Sequence, residues 1–222
     1  MTNPVKPTLK TEILPLLVLV AAIISSFYFY SHSSEIVPTH WNFAGEVDNW
    51  GSRSIAFVIP AVMVGIYILF LVFPFLDPKK EKYEQFSKVY HVFKGVMILF
   101  MAILYFATSL NILGYNLPIG IIVPVGVGLL FIIMGNYMGK IKMNWFFGIK
   151  TPWTLSSEEV WNKTHRFGGK MFILSGLLIA LDAFLPVSWR LGVFIAALII
   201  LLLGTMVYSY VIYLREKKSH NT

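Results

Sequence analysis

Between Ile55 and Leu76 the chain carries no charged residue, and an uninterrupted apolar run of that length leaves few ways to fold. An α-helix rises about 1.5 Å per residue, so roughly 20 apolar residues cover the ~30 Å hydrocarbon core of a bilayer, where a helix satisfies its own backbone hydrogen bonds. Comparable runs occupy Ile13 to Tyr30, Val92 to Leu113, Ile119 to Met138 and Leu191 to Leu214. A further run, Met171 to Leu185, is free of charge only as far as Leu181, because Asp182 interrupts it. Composition points the same way: 13% of residues are charged, against about 25% in a typical soluble domain. The expected fold class is therefore an all-α integral membrane protein with six transmembrane helices.

Charge sets the direction of the spans. All the lysines and arginines except Arg53 and Arg190 fall on the side of the N-terminus if six helices cross, and cytoplasmic loops are the ones enriched in these residues. This gives an arrangement with both termini in the cytoplasm. Were Met171 to Leu185 not to cross, the tail Arg215-Glu216-Lys217-Lys218 would lie outside, against the same bias; Asp182 is then expected near the outer surface. Trp41, Trp50 and Trp189 fall at the outer headgroup level and Trp145, Trp153 and Trp161 at the inner, where amphipathic rings are favoured. The first run continues into Phe27-Tyr28-Phe29-Tyr30 with no small-residue cleavage site, so it reads as a retained span and not a signal peptide. The formal charge of +7 belongs to the edges of apolar runs and so to lipid headgroups, which excludes direct nucleic-acid binding. The absence of cysteine excludes disulfides, thiolate metal sites and a cysteine nucleophile. Residues 1–76 are expected to form two spans with the outer loop, and 77–222 a four-span region containing the long cytoplasmic loop 139–170.

Two polar segments hold more than a connector needs. The outer loop Ser31 to Ser54 has Glu35, Glu46 and Asp48 against Arg53, a balance of −2. With Pro38 and Ala44-Gly45 as turn signals, it is expected to form an irregular or hairpin-like cap held down by Trp41 and Trp50. Its His32, Glu35, His40, Glu46 and Asp48 match no standard metal-ligand spacing, so no metal or other cofactor is expected. The inner loop Gly139 to Lys170 mixes lysines with Trp145, Phe146, Phe147 and Trp153, which suits an anionic membrane surface. After Pro152, Ser156-x-x-Glu159 reads as a capping box starting a short helix that runs to Phe167, with Gly168-Gly169 turning the chain into the next span. A loop of this length is long for a plain connection, which makes it a candidate partner surface. Asn162-Lys163-Thr164 matches a glycosylation triplet, unmodified in the cytoplasm. Within the spans, Asn111, Asn136 and Ser175 are expected to bond between helices, and Gly135 with Gly139 to mark close packing. His40 with Asp48, or His165 with Glu158, could pair as acid and base, yet no nucleophile stands in a recognised spacing to either. No catalytic residue is assigned, and the chain is not expected to be an enzyme.

The outer stretch IVPTHWNFAGEVDNWGSR and the inner stretch GIKTPWTLSSEEVWNKTHRFGG together resemble the SdpI-type bacterial toxin-immunity membrane proteins. Gly139 and Met143 stand where that family's pattern has prolines. The resemblance implies protection of the cell against a secreted peptide toxin, from the bacterial cytoplasmic membrane. In its best-known form it also implies recruitment of a cytoplasmic transcriptional repressor. On this resemblance the toxin-facing candidates are Pro38, Thr39, His40, Trp41, Asn42, Gly45, Asp48, Trp50 and Gly51. The cytoplasmic partner candidates are Thr151, Pro152, Trp153, Ser156, Glu158, Glu159, Trp161, Lys163, Thr164, His165 and Arg166. Besides membrane lipid, the expected partners are thus the toxin and a repressor. The rival reading is a small exporter or permease for a peptide or another amphipathic substrate.

Overall fold

The computed structural model describes residues 4–219. Its elements, in chain order, are helix α1 (Leu9–His32), strands β1 (Ile36–Trp41) and β2 (Val47–Ser52), and helices α2 (Val58–Leu76), α3 (Ser87–Ile112) and α4 (Ile119–Met138). A short helix α5 (Pro152–Ser156), then α6 (Glu158–Asp182) and α7 (Val187–Ser219), complete the chain. Two 3₁₀ segments, Arg53–Phe57 and Lys80–Phe86, lead into α2 and α3.

Among the described residues, five helical segments are long and apolar enough to cross a membrane: Leu9–His32, Arg53–Leu76, Lys80–Ile112, Ile119–Met138 and Val187–Ser219. They expose large side chains such as Leu17, Ile24, Leu202 and Val207 around their outer faces, as lipid-solvated helices do. The chain is a multi-pass helical membrane protein.

The helix α6 differs from expectation. A short helix ending at Phe167, a turn at Gly168-Gly169 and a separate span from Met171 are replaced by one continuous helix of 25 residues. The two glycines do not bend it; they let it approach its neighbours. A Cβ on Gly169 would lie 2.6 Å from the carbonyl oxygen of Gly135, and one on Gly176 would lie 2.6 Å from that of Gly128. Gly128 and Gly135 in α4 meet the α6 backbone equally closely in return. Both pairs are seven residues apart, two turns of helix, so they lie on facing stripes, and their opposite numbering makes α4 and α6 antiparallel. Small residues at such a seam bring backbones together where lipid supplies no hydrophobic drive. Gly139, the other member of the expected small-residue pair, continues the contact with α6 at Arg166, whose Cγ and Cα would lie 3.2 and 3.6 Å from its Cβ.

On its other side α6 packs against α7, where the Ser175 hydroxyl donates to the Ala197 carbonyl at 2.8 Å. Asn136 bonds within its own helix, to Ile132, and not between helices. Helices α1, α2 and α3 form a second group around Leu19, Ala22, Phe29, Met63, Ile98, Ala102 and Tyr105, and α3 joins the two groups by packing against α4.

The hairpin expected in the outer loop is present, as an antiparallel β1–β2 ladder with its register irregular between Pro38 and Trp41.

Candidate functional site

Polar structure is concentrated at opposite ends of the bundle. At one end, residues 139–157 form a compact fold and not an amphipathic strip spread over lipid. Its centre is Asn144, fully buried. The Asn144 carbonyl accepts from the amides of Phe146 and Phe147 at 3.0 and 2.6 Å, while its NH₂ donates to the carbonyls of Lys142 and Phe147. Asp77, at the end of α2, binds the same segment from below. It accepts from the Tyr83 hydroxyl at 2.9 Å and the Trp145 amide at 2.8 Å. Phe146 stacks on Phe73, and Phe147 packs among Phe70, Tyr90 and Phe93.

The Gly-Ile-Lys-Thr-Pro-Trp-Thr run is wrapped around His165. Gly148 sits at φ +108, and a Cβ there would collide with His165 Nε2. The next amide, of Ile149, donates to that nitrogen at 2.9 Å, and His165 Nδ1 donates to the Trp161 carbonyl at 2.8 Å. This fixes a neutral imidazole protonated at Nδ1, and burial pushes its pKa down to about 4. Trp161 stacks on His165 with centroids 4.0 Å apart and donates its indole N–H to the Ile141 carbonyl.

Thr151 caps α5 by accepting from the Thr154 amide, with Pro152 in the first turn, where its missing N–H is harmless. Thr154 returns a bond to the Ile149 carbonyl, and the Thr151 hydroxyl donates to Ser209 on α7. Trp153 packs on Tyr210.

No capping box forms at the start of α6, and its N-cap lies one residue beyond the expected place. Ser157, not Ser156, is the N-cap of α6, accepting from the Val160 amide at 3.3 Å and donating to Glu216 of α7. Ser156 closes α5 by donating to the Trp153 carbonyl. Trp161, Thr164 and His165 are therefore enclosed, with no exposed surface. Pro152, Ser156, Glu158, Glu159, Lys163 and Arg166 stay exposed. Glu158 pairs with Lys82 and so does not meet His165 as an acid–base partner. Lys163 pairs with Glu159 one turn away.

At the same end lies a cluster that hydropathy conceals. Lys94, only 1% exposed, bridges both carboxylate oxygens of Glu12 at 2.5 and 2.6 Å, and the Tyr67 hydroxyl donates to Glu12 at 2.7 Å. His91 Nδ1 is 3.7 Å from the same carboxylate. The pair ties α1 to α3, and it was invisible in sequence because its members lie 82 residues apart, each at the edge of an apolar run.

At the opposite end the hairpin is seated on the bundle. Asn42 shapes its turn, accepting from the amides of Ala44 and Glu46. Gly45, at φ +81, lies so close to Gly120 that a Cβ would be 2.7 Å from the Gly120 amide nitrogen. Arg190 donates to the carbonyls of Phe43, Gly120 and Leu185. These contacts, and not Trp50, hold the cap; Trp50 is 59% exposed. On the strands His40 Nδ1 meets Asp48 at 2.6 Å, both exposed. Thr39 packs against Gly51, where a Cβ would lie 2.9 Å from the threonine methyl. Pro38 pairs with Trp50 across the ladder. Trp41 faces a cavity below the hairpin, whose wall includes Asp182. Asp182 is 1% exposed. Among the described residues no three His, Asp or Glu side chains converge as metal ligands would.

A helical membrane bundle with a folded polar cap at each end defines the class. Residues 140–209 match the SdpI/YfhL protein family, and residues 17–64 match a domain of unknown function, DUF1648. The chain is 28% identical over 202 residues, 91% of its own length and 95% of the relative's, to a protein named immunity protein SdpI from Bacillus subtilis (strain 168). Residues 140–209, which carry the inner-loop motif, are thus similar to the SdpI/YfhL family, and the similarity to an immunity protein over nearly the whole chain agrees with the resemblance of both loops. No solved structure matches it.

Proposed function

We propose that this protein protects a bacterial cell against a secreted peptide toxin, crossing the cytoplasmic membrane six times with both termini inside. The similarity to an immunity protein over nearly the whole of both chains carries this reading. Six crossings are supported by the antiparallel α4–α6 seam, which runs α6 alongside an apolar spanning helix from Gly169 to Gly176. The hairpin, with its acidic balance of −2, then faces outward, where it favours encounter with a cationic peptide. The His165-centred fold and the basic residues around it face the cytoplasm.

Expression in a sensitive bacterium, scored for survival against a panel of secreted membrane-active peptides, tests the role. The wild-type protein raises survival against at least one peptide. Combined replacement of His40, Trp41 and Asp48 by alanine removes that protection while the protein stays in the membrane at normal level. Unchanged protection by the triple variant contradicts the assignment of the hairpin.

Recruitment of a cytoplasmic repressor, the second role that the resemblance implies, would use the exposed Lys163, Arg166 and Pro152, since Trp161, Thr164 and His165 are inside. Charge reversal at Lys163 and Arg166 abolishes co-purification of such a partner if this surface is used; a partner retained at wild-type level excludes the surface.

A further inference from the structure

Beneath the hairpin lies a cavity of about 490 Å³, roofed by Thr39 to Phe43 and walled by α2, α3, α4, α6 and α7. Its walls are mainly apolar, with Ile59, Leu104, Val123, Val127, Ile179 and Phe194 among them. This volume is in the range of small-ligand pockets and takes a few side chains, not a whole helix. One wall group does not belong in an apolar chamber. Asp182 is 1% exposed, and its Oδ1 is buried with no hydrogen-bond partner. An orphaned buried acceptor is destabilising, the more so if charged, so its persistence at a cavity wall asks for a ligand that satisfies it.

The neighbouring groups do not supply that partner. The Arg190 guanidinium acts on Asp182 only through space; its hydrogen bonds go to three backbone carbonyls, two of which bind it to the hairpin tip and the start of α4. Thr108 directs its hydroxyl to carbonyls of its own helix. His40 turns Nδ1 to Asp48 on the hairpin surface. The unmet requirement is therefore a donor, most favourably a cation, arriving with apolar surface around it. A lipid acyl chain fills the volume but leaves Oδ1 unpaired, and a lipid phosphate is repelled by it.

We propose that this cavity is the recognition site for the toxin, admitting an apolar peptide segment with one basic side chain whose ammonium or guanidinium group binds Asp182. The proposal rests on the immunity reading and gives it an atomic site: the hairpin supplies the roof, and α6 supplies the specificity-determining carboxylate.

The test uses the full-length protein in phosphatidylcholine nanodiscs and two acetylated, amidated fluorescent probes, Leu-Lys-Leu and the same peptide with norleucine for lysine. The wild type binds the lysine probe at least 10-fold more tightly than the norleucine probe. Asp182→Asn, which keeps the shape, removes that preference, and Ile179→Trp, which fills the chamber, weakens both probes. Equal binding of the two probes, or a preference unchanged in Asp182→Asn, overturns the proposal. Displacement of the lysine probe by phosphatidylethanolamine added to the nanodisc also overturns it, by identifying a lipid site. Survival separates the two readings. A wild type that protects against no peptide contradicts the immunity role whatever the probes do. A wild type that protects equally well as Asp182→Asn keeps the role and removes the site.

Discussion

Gly148 illustrates how much of this protein rests on single positions. Its left-handed backbone and its contact with the His165 ring exclude a side chain twice over. Gly148→Ala is expected to lower stability by about 1–3 kcal/mol, from the backbone strain alone, seen as a lower unfolding midpoint in detergent. His165 adds a pH dependence. Its folded pKa of about 4 lies below the ordinary histidine value of 6.5, so the unfolded chain binds a proton first as pH falls. The associated stability is complete above about pH 6.5 and is lost progressively down to about pH 4. The thermal midpoint of the wild type should fall more steeply over that window than that of His165→Gln; parallel curves contradict the buried, neutral histidine. The sequence showed that the Gly-Ile-Lys-Thr-Pro-Trp-Thr run and His165 belong to one motif. It could not show that the motif closes on its own histidine, because Trp161, Thr164 and His165 read equally well as partner-binding residues of a short helix.

At the scale of elements, α6 carries the largest departure from expectation. Charge at Glu158, Glu159, Lys163, Arg166 and Lys170 suggested a separate surface helix, and Gly168-Gly169 looked like its end. Glycine does weaken a helix in isolation, but here its lack of a side chain is what the seam against α4 requires. Gly128→Ala or Gly176→Ala should therefore destabilise the protein by about 1–3 kcal/mol through overpacking. Gly192→Ala, with open space at its Cβ, should be neutral or stabilising by up to about 1 kcal/mol. Detergent unfolding midpoints of the three variants check this ordering. The α1–α3 tie gives a second prediction. Lys94→Met strands the Glu12 carboxylate and should cost about 3–5 kcal/mol, whereas adding Glu12→Leu should recover most of the loss, as a double-mutant cycle would measure. Apolar periodicity placed both helices correctly. Their ion pair needed the tertiary fold, because each charge lies toward the edge of an apolar run, where a solvated residue is the ordinary expectation.

For the whole molecule, five of the spanning segments were legible from length and hydropathy alone, and the hairpin from its turn residues. The cavity below the hairpin was not legible, since its lining comes from the hairpin and five helices that are far apart in the sequence. What the molecule does with its two caps depends on their lying on opposite sides of the membrane. The lack of native cysteine makes that directly measurable with single cysteines at exposed positions and a membrane-impermeant maleimide on intact cells. Ser34→Cys before the hairpin and Ser188→Cys at the start of α7 should label without permeabilisation. Lys150→Cys and Lys217→Cys should label only after it. Labelling of Lys150→Cys in intact cells, or protection of Ser34→Cys or Ser188→Cys, would contradict the six-span arrangement and, with it, a receptor face turned toward an arriving toxin.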